Sequence, residues 1–118
     1  MAFETLPDEI SDFVRTNIDS VAELEALLLL RADPAADWGP DRVARHLYLG
    51  TRETVLLLEG LEAKGFLSDT GGPARVYRYS PNRHARRRID ELAEAYAMHL
   101  VAVTNLIHSK PHARATAG

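Results

Sequence analysis

Apolar residues recur at helical spacing along most of the chain. Ile10, Phe13 and Val14 fall on one side of a short helix opened by Leu6-Pro7-Asp8. Asp19-Ser20 starts a second helix, with Ser20 and Glu23 spaced as a capping box. In the segment VAELEALLLLRAD the stripe is Val21, Leu24, Leu27 and Leu28, with Arg31 at its end. The second half of that helix is apolar nearly all round, which predicts the central helix of the core. Asp33-Pro34 ends it. Trp38-Gly39-Pro40-Asp41 then turns into DRVARHLYL, with Pro40 at the first helical position and Val43, Ala44 and Leu47 facing inward. Gly50 is expected to stop this helix and Thr51 to cap the next, TRETVLLLEGLEAKGF, which ends at Gly65.

The period then changes. FLSD and ARVYRY flank Thr70-Gly71-Gly72-Pro73, a turn signal between two short runs of strand-forming residues. Ser80-Pro81 opens a long helix that is expected to reach about His108, with Lys110-Pro111 closing it and PHARATAG left as a flexible tail. Along that helix Ile89, Ala93, Tyr96, Leu100, Val103 and Ile107 form a heptad-like seam. The seam looks too long for one small domain to cover, so it is expected to build a homodimer. The alternative is packing within the chain, on the acidic N-terminal helices. These elements make a mainly α protein with a small β-hairpin (α+β). It reads as one domain over residues 1–118, with a core at 19–81, a long helix at 82–109 and a tail at 110–118.

Composition narrows the class without changing the elements. The chain has 118 residues, 46% hydrophobic and 26% charged, as in an ordinary soluble domain. It has no cysteine, which fits a reducing compartment. Its start, MAFETLPDEI, lacks the basic and apolar pattern of a signal peptide, and no apolar run is long enough for a membrane span. A cytoplasmic location is the expectation. The net charge of -3 conceals a division. Residues 1–39 carry nine acids against Arg15 and Arg31, whereas residues 40–90 carry ten bases against six acids. One basic face on an otherwise acidic protein follows.

The pair of helices in DRVARHLYLGTRETVLLLEGLEAKGFL, the LEAKGFL ending and the Gly-Gly-Pro turn before VYRYSP together resemble a winged helix-turn-helix domain. The nearest likeness is to MarR-type and related small bacterial transcriptional regulators. The resemblance implies a helix at 51–64 in the major groove of double-stranded DNA and a wing at 66–79 on the backbone. On that reading Arg42 and Arg45 contact the backbone, and Thr51, Arg52, Thr54 and Leu56 face the groove. Arg75 and Arg78 serve the wing, and Arg83, Arg86, Arg87 and Arg88 add phosphate contacts. The run of arginines at 83–88 opens a helix, where the macrodipole disfavours cations, so local stability does not explain it.

Within the second helix of the pair, Thr54, Leu57, Leu58 and Leu61 share one face and are expected to be core. Leu56 falls opposite, with Arg52, Glu53, Glu59 and Gly60. There it would meet a thymine methyl, pack on a partner chain, or sit exposed. Glu59 would repel phosphate. By inspection this helix is a poor reader of base sequence. The alternative function is therefore a winged helix used as a protein-interaction module without DNA binding.

Other chemistry is absent from the sequence. The histidines are 46, 84, 99, 108 and 112, and Pro111 separates the last two, so no metal site or other cofactor is expected. No phosphate loop, nucleophile elbow or His-x-Glu pattern suggests an enzyme. Tyr77 and Tyr79 read as wing packing.

Overall fold

The computed structural model describes residues 6–110. Six helices and one hairpin run in the order α1 (Asp8–Asn17), α2 (Val21–Ala32), α3 (Pro40–Leu47), α4 (Thr51–Ala63), β1 (Leu67–Asp69), β2 (Tyr77–Tyr79), α5 (Arg83–Met98) and α6 (Leu100–Ser109). The architecture is mainly α with a two-stranded antiparallel sheet, in a winged helix-turn-helix arrangement.

Helix α2 is the centre, as its all-round apolarity predicts. Leu24, Ala26, Leu27 and Leu30 are fully buried, and the helix packs on α3, α4 and β2. Each fully buried leucine contributes about 2 kcal/mol through removal of apolar surface from water. Its start is the expected capping box with one change of partner. Glu23 N–H donates to Ser20 Oγ at 3.0 Å, but the Glu23 carboxylate accepts from Asp19 N–H at 2.7 Å. Only 4% of Glu23 is exposed.

Helices α3 and α4 pack on each other and on α2, burying Val43, Ala44, Thr54, Leu58 and Leu61. The turn between them differs from the expected one. Tyr48, not Gly50, takes the left-handed conformation that ends α3, and Gly50 becomes the N-cap of α4 with Thr51 already helical. Gly60 lies inside α4, and a Cβ added there would meet Glu23 Oε2 at 3.6 Å, an ordinary contact. Because glycine in a helix interior is about 1 kcal/mol less favourable than alanine, Gly60→Ala is expected to raise stability by about 0.5–1 kcal/mol in urea unfolding. A loss of stability would show that α2 and α4 leave no room for the methyl group.

The hairpin pairs Leu67 with Tyr79, Ser68 with Arg78 and Asp69 with Tyr77. It is shorter than the expected runs at 66–69 and 74–79. Trp38 adds an isolated bridge, exchanging two 2.8 Å backbone hydrogen bonds with Tyr77. Asp69 shapes the tip by accepting from Gly71 N–H at 3.0 Å, and Gly71 has the positive φ of 84° that the turn requires. The Gly71 N–H and, after it, the Arg75 guanidinium hold the Asp69 carboxyl below its ordinary pKa, against the opposing effect of burial.

The long C-terminal helix is not continuous. Asn82 caps α5 by accepting from Ala85 N–H at 2.8 Å, and the helix breaks at His99, with φ -136° and ψ 54°. Helix α6 turns back and packs on α1 and α5. This corrects the expected dimer seam. Ile89, Val103 and Ile107 are buried within the chain, and Ala93 and Tyr96 are half-buried. Tyr96 donates its hydroxyl to Glu25 at 3.0 Å. Of the six seam residues only Leu100 is exposed, beside Met98 and Val101 at the α5–α6 corner. The break is favourable because a straight helix would leave Val103 and Ile107 in water, whereas the turned one adds them to the shared core.

Of the expected tail at 110–118 only Lys110 is described, and it is not loose, since its ammonium donates to Val14 O at 3.2 Å at the end of α1. Residues 111–118, with His112, lie outside the described residues. Among the described residues, no helix is long and apolar enough to cross a membrane.

Candidate nucleic-acid interface

The two helices α3 and α4 present separate sets of exposed side chains. On α3 these are Asp41, Arg42, Arg45 and His46, followed by Tyr48 at its end. On α4 they are Thr51, Arg52, Glu53, Leu56 and Glu59, with Ala63 at its end. Leu56 is 63% exposed, while Leu57 is half-buried and Leu58 fully buried. Thr54 does not belong to this surface. It is fully buried and donates its hydroxyl to Gly50 O at 2.8 Å, so its expected place in the groove is corrected to a place in the core.

The arginines divide by what holds them. Arg45, Arg52 and Arg83 are exposed and make no hydrogen bond or ion pair among the described residues. Arg42 lies over the Trp38 ring, 3.9 Å from its centroid, and donates to Asp37 O at 3.1 Å. Arg86 lies 5.3 Å from the Tyr79 ring centroid. None of these five guanidiniums is neutralised by a carboxylate within the described chain.

The wing arginines are already committed. Arg75 reaches Asp69 at 2.6 Å, Glu62 at 2.9 Å and Glu59 at 3.8 Å, tying the hairpin to the C-terminal half of α4. Glu59 therefore faces a guanidinium and does not stand alone before a phosphate. Arg78 forks onto one oxygen of Asp37, at 3.0 and 2.7 Å. Since Arg42 meets the Asp37 carbonyl, this residue joins α3 to the wing. On α5, Arg88 pairs with Glu91 at 2.9 Å and Arg87 with the same residue at 3.9 Å. Both line a groove against Glu9 of the acidic α1. The pairs of Arg78 with Asp37 and Arg87 with Glu91, exposed on both sides, are worth little to the fold.

Three groups escaped the sequence reading. Trp38 is buried and organises the start of α3, with His46 edge-on to its ring at 5.2 Å. His46 and Tyr48 join Arg42 and Arg45 around one notch. A tryptophan before Gly-Pro was a usable signal for the first. For Tyr48 there was none, because the cap was expected at Gly50. Among the described residues no group of three or more His, Cys, Asp or Glu side chains is arranged to hold a metal ion.

The sequence matches no protein-family model and no curated protein. The structure is similar to that of a "possible transcriptional regulator" from Methanosarcina mazei Go1, with a TM-score of 0.59 over 85% of this chain and 89% of that one. Sequence identity is 18%, so the likeness is one of fold and does not single out the MarR type.

Proposed function

We propose that the protein is a winged-helix transcriptional regulator that binds duplex DNA through α3, the start of α4 and the adjoining cations of α5. The observation that carries this reading is the pair of unneutralised arginines flanking the helix-turn-helix turn, Arg45 at the end of α3 and Arg52 at the start of α4. First-turn residues of the second helix in such a pair reach base edges, while the first helix crosses the backbone. Arg42, Arg45, Arg83 and Arg86 then serve phosphates, and Thr51, Arg52 and Leu56 face the groove. The likeness in fold to a possible transcriptional regulator agrees with this role.

Arg52→Ala is expected to weaken duplex binding by about 1–3 kcal/mol and to relax sequence preference. Arg87→Ala, whose guanidinium already faces Glu91, is expected to leave the salt dependence nearly unchanged. Fluorescence anisotropy at several salt concentrations reads both. Equal losses from the two variants would mean that the binding face is misassigned.

A homodimer would present two such faces to a two-fold site. Its interface is proposed at the α5–α6 corner, over Met98, Leu100 and Val101, which are large apolar side chains left in water. Mass measurement in solution by light scattering tests this. The second reading, a protein-interaction module, is favoured by Leu56 standing exposed between Glu53 and Glu59. It requires that Leu56→Arg abolish capture of a protein partner while the chain binds no duplex.

A further inference from the structure

Tyr48 is out of place both as a cap and as an aromatic. It ends α3 with φ 57° and ψ 44°, the only positive φ outside glycine among the described residues. Leu49 N–H donates to Ala44 O at 3.0 Å across it. Such a turn favours glycine, whose missing Cβ removes a steric clash. Residues strained in this way persist where the surrounding structure fixes them, and they cluster at functional sites. Here 95% of the tyrosine is exposed. Nothing in the core rewards its ring.

The ring instead borders a notch of about 410 Å³ on the solvent side of α3, lined by Arg42, Arg45, His46 and Tyr48. No carboxylate is among the lining residues. Trp38 holds two of them from beneath, stacking on Arg42 and meeting His46 edge-on. Arg45 has no acidic partner among the described residues. Two guanidiniums, an imidazole and a phenol thus converge on one concavity. Guanidinium forks match the oxygens of a phosphate, and a hydroxyl donates to a third.

We propose that Arg42, Arg45, His46 and Tyr48 form a phosphate-holding notch, with Trp38 as its positioning residue, which takes a backbone phosphate of duplex DNA. The source of that phosphate rests on the DNA-binding reading; the chemistry of the notch does not. The arginines supply charge, and the Tyr48 hydroxyl fixes where the phosphate sits. The exposed, strained tyrosine is then explained by what it binds.

Tyr48→Gly separates this role from tolerance. Relief of the left-handed strain is expected to raise the urea midpoint, while loss of the hydroxyl and ring weakens binding of a mixed-sequence duplex about tenfold. Tyr48→Phe, which keeps the backbone and ring, should weaken binding without the gain in stability. Inorganic phosphate, followed by heteronuclear NMR, should move the resonances of Arg42, Arg45 and His46. A more stable Tyr48→Gly protein that binds duplex as well as wild type would overturn the notch and leave the DNA reading standing. Wild type that ignores duplex but shows the phosphate-dependent shifts would overturn the DNA reading and assign the notch to a free phosphate ligand. Absence of both responses would overturn both.

Discussion

Glu23→Ala is expected to lower the unfolding free energy by about 1–3 kcal/mol, because it removes the nearer carboxylate of a partly buried ammonium, leaving Lys64 with only Asp19 at 3.4 Å, and takes away the acceptor of the Asp19 N–H. Glu23 accepts from Lys64 Nζ at 2.7 Å and from Asp19 N–H at 2.7 Å. Lys64 caps α4, so the carboxylate joins the end of that helix to the start of α2. Lys64 also donates to Asn17 O, and a second lysine completes the cluster. Lys110 donates to Val14 O at 3.2 Å and to Ile18 O, and it pairs with Asp19 at 3.3 Å. Two ammonium groups thus satisfy carbonyls at the end of α1, where its macrodipole favours positive charge. Glu23→Gln should lose less, since an amide oxygen still accepts one hydrogen bond. Urea unfolding of the three proteins measures this. A loss below about 1 kcal/mol for Glu23→Ala would mean that the cluster is surface decoration.

The same cluster sets an acid limit. Burial by itself would raise the Asp19 pKa, but Lys64 and Lys110 together outweigh it and hold the carboxyl below its ordinary value. A depressed carboxylate stabilises the fold above its unfolded pKa of about 4, and that contribution is lost as pH falls through the folded value. Stability from this group is therefore present near neutrality and disappears only in acid below about pH 4.

Trp38→Ala is expected to cost about 3–5 kcal/mol, the usual range for truncating a buried aromatic. Its side chain is almost fully buried, and its backbone ties the start of α3 to the hairpin through an isolated bridge to Tyr77. The substitution removes the support beneath Arg42 and His46 as well, so duplex binding should fall along with stability. The indole Nε1 is buried without a hydrogen-bond partner in the described chain. Trp38→Phe therefore sacrifices no hydrogen bond and should recover most of the loss. Thermal unfolding distinguishes the two variants. Equal destabilisation by Ala and Phe would mean that the indole's size, not its burial as an aromatic, determines the site.

Much of this fold is legible in the chain because its signals are local. The 3.6-residue periodicity marks α1 to α4, Ser20 with Glu23 marks the start of α2, Pro40 marks α3, and Gly71-Gly72 marks the hairpin. What sequence does not carry is the competition between local continuity and distant burial. Residues 82–109 hold no proline or glycine, so nothing local announces the break at His99. The break is decided by Val103 and Ile107 finding the core shared with α1. The seam that looks like a dimer interface is largely consumed in this way.

The candidate site was legible in the same uneven manner. Charge segregation pointed to a basic face within residues 40–90, and there Arg42, Arg45, Arg52, Arg83 and Arg86 stand exposed with no carboxylate partner among the described residues. It could not show that Arg75 and Arg78 would be taken by acids of α4 and of the loop before α3. Helical spacing put Thr54 with the core leucines, and the buried Thr54 hydroxyl makes its expected groove contact untenable. Tyr48 was invisible because its conformation depends on how α3 docks, not on any preference of tyrosine for a turn.

The decisive experiment is a fluorescence-anisotropy titration of a mixed-sequence duplex with wild type and with the Arg45→Ala/Arg52→Ala double variant, each over a range of salt. Wild type is expected to bind with strongly salt-dependent affinity, and the double variant to bind more weakly with a salt slope flatter by about one to two. Absence of binding by wild type at the lowest salt, or an identical slope for the two proteins, would contradict DNA binding through the α3–α4 face.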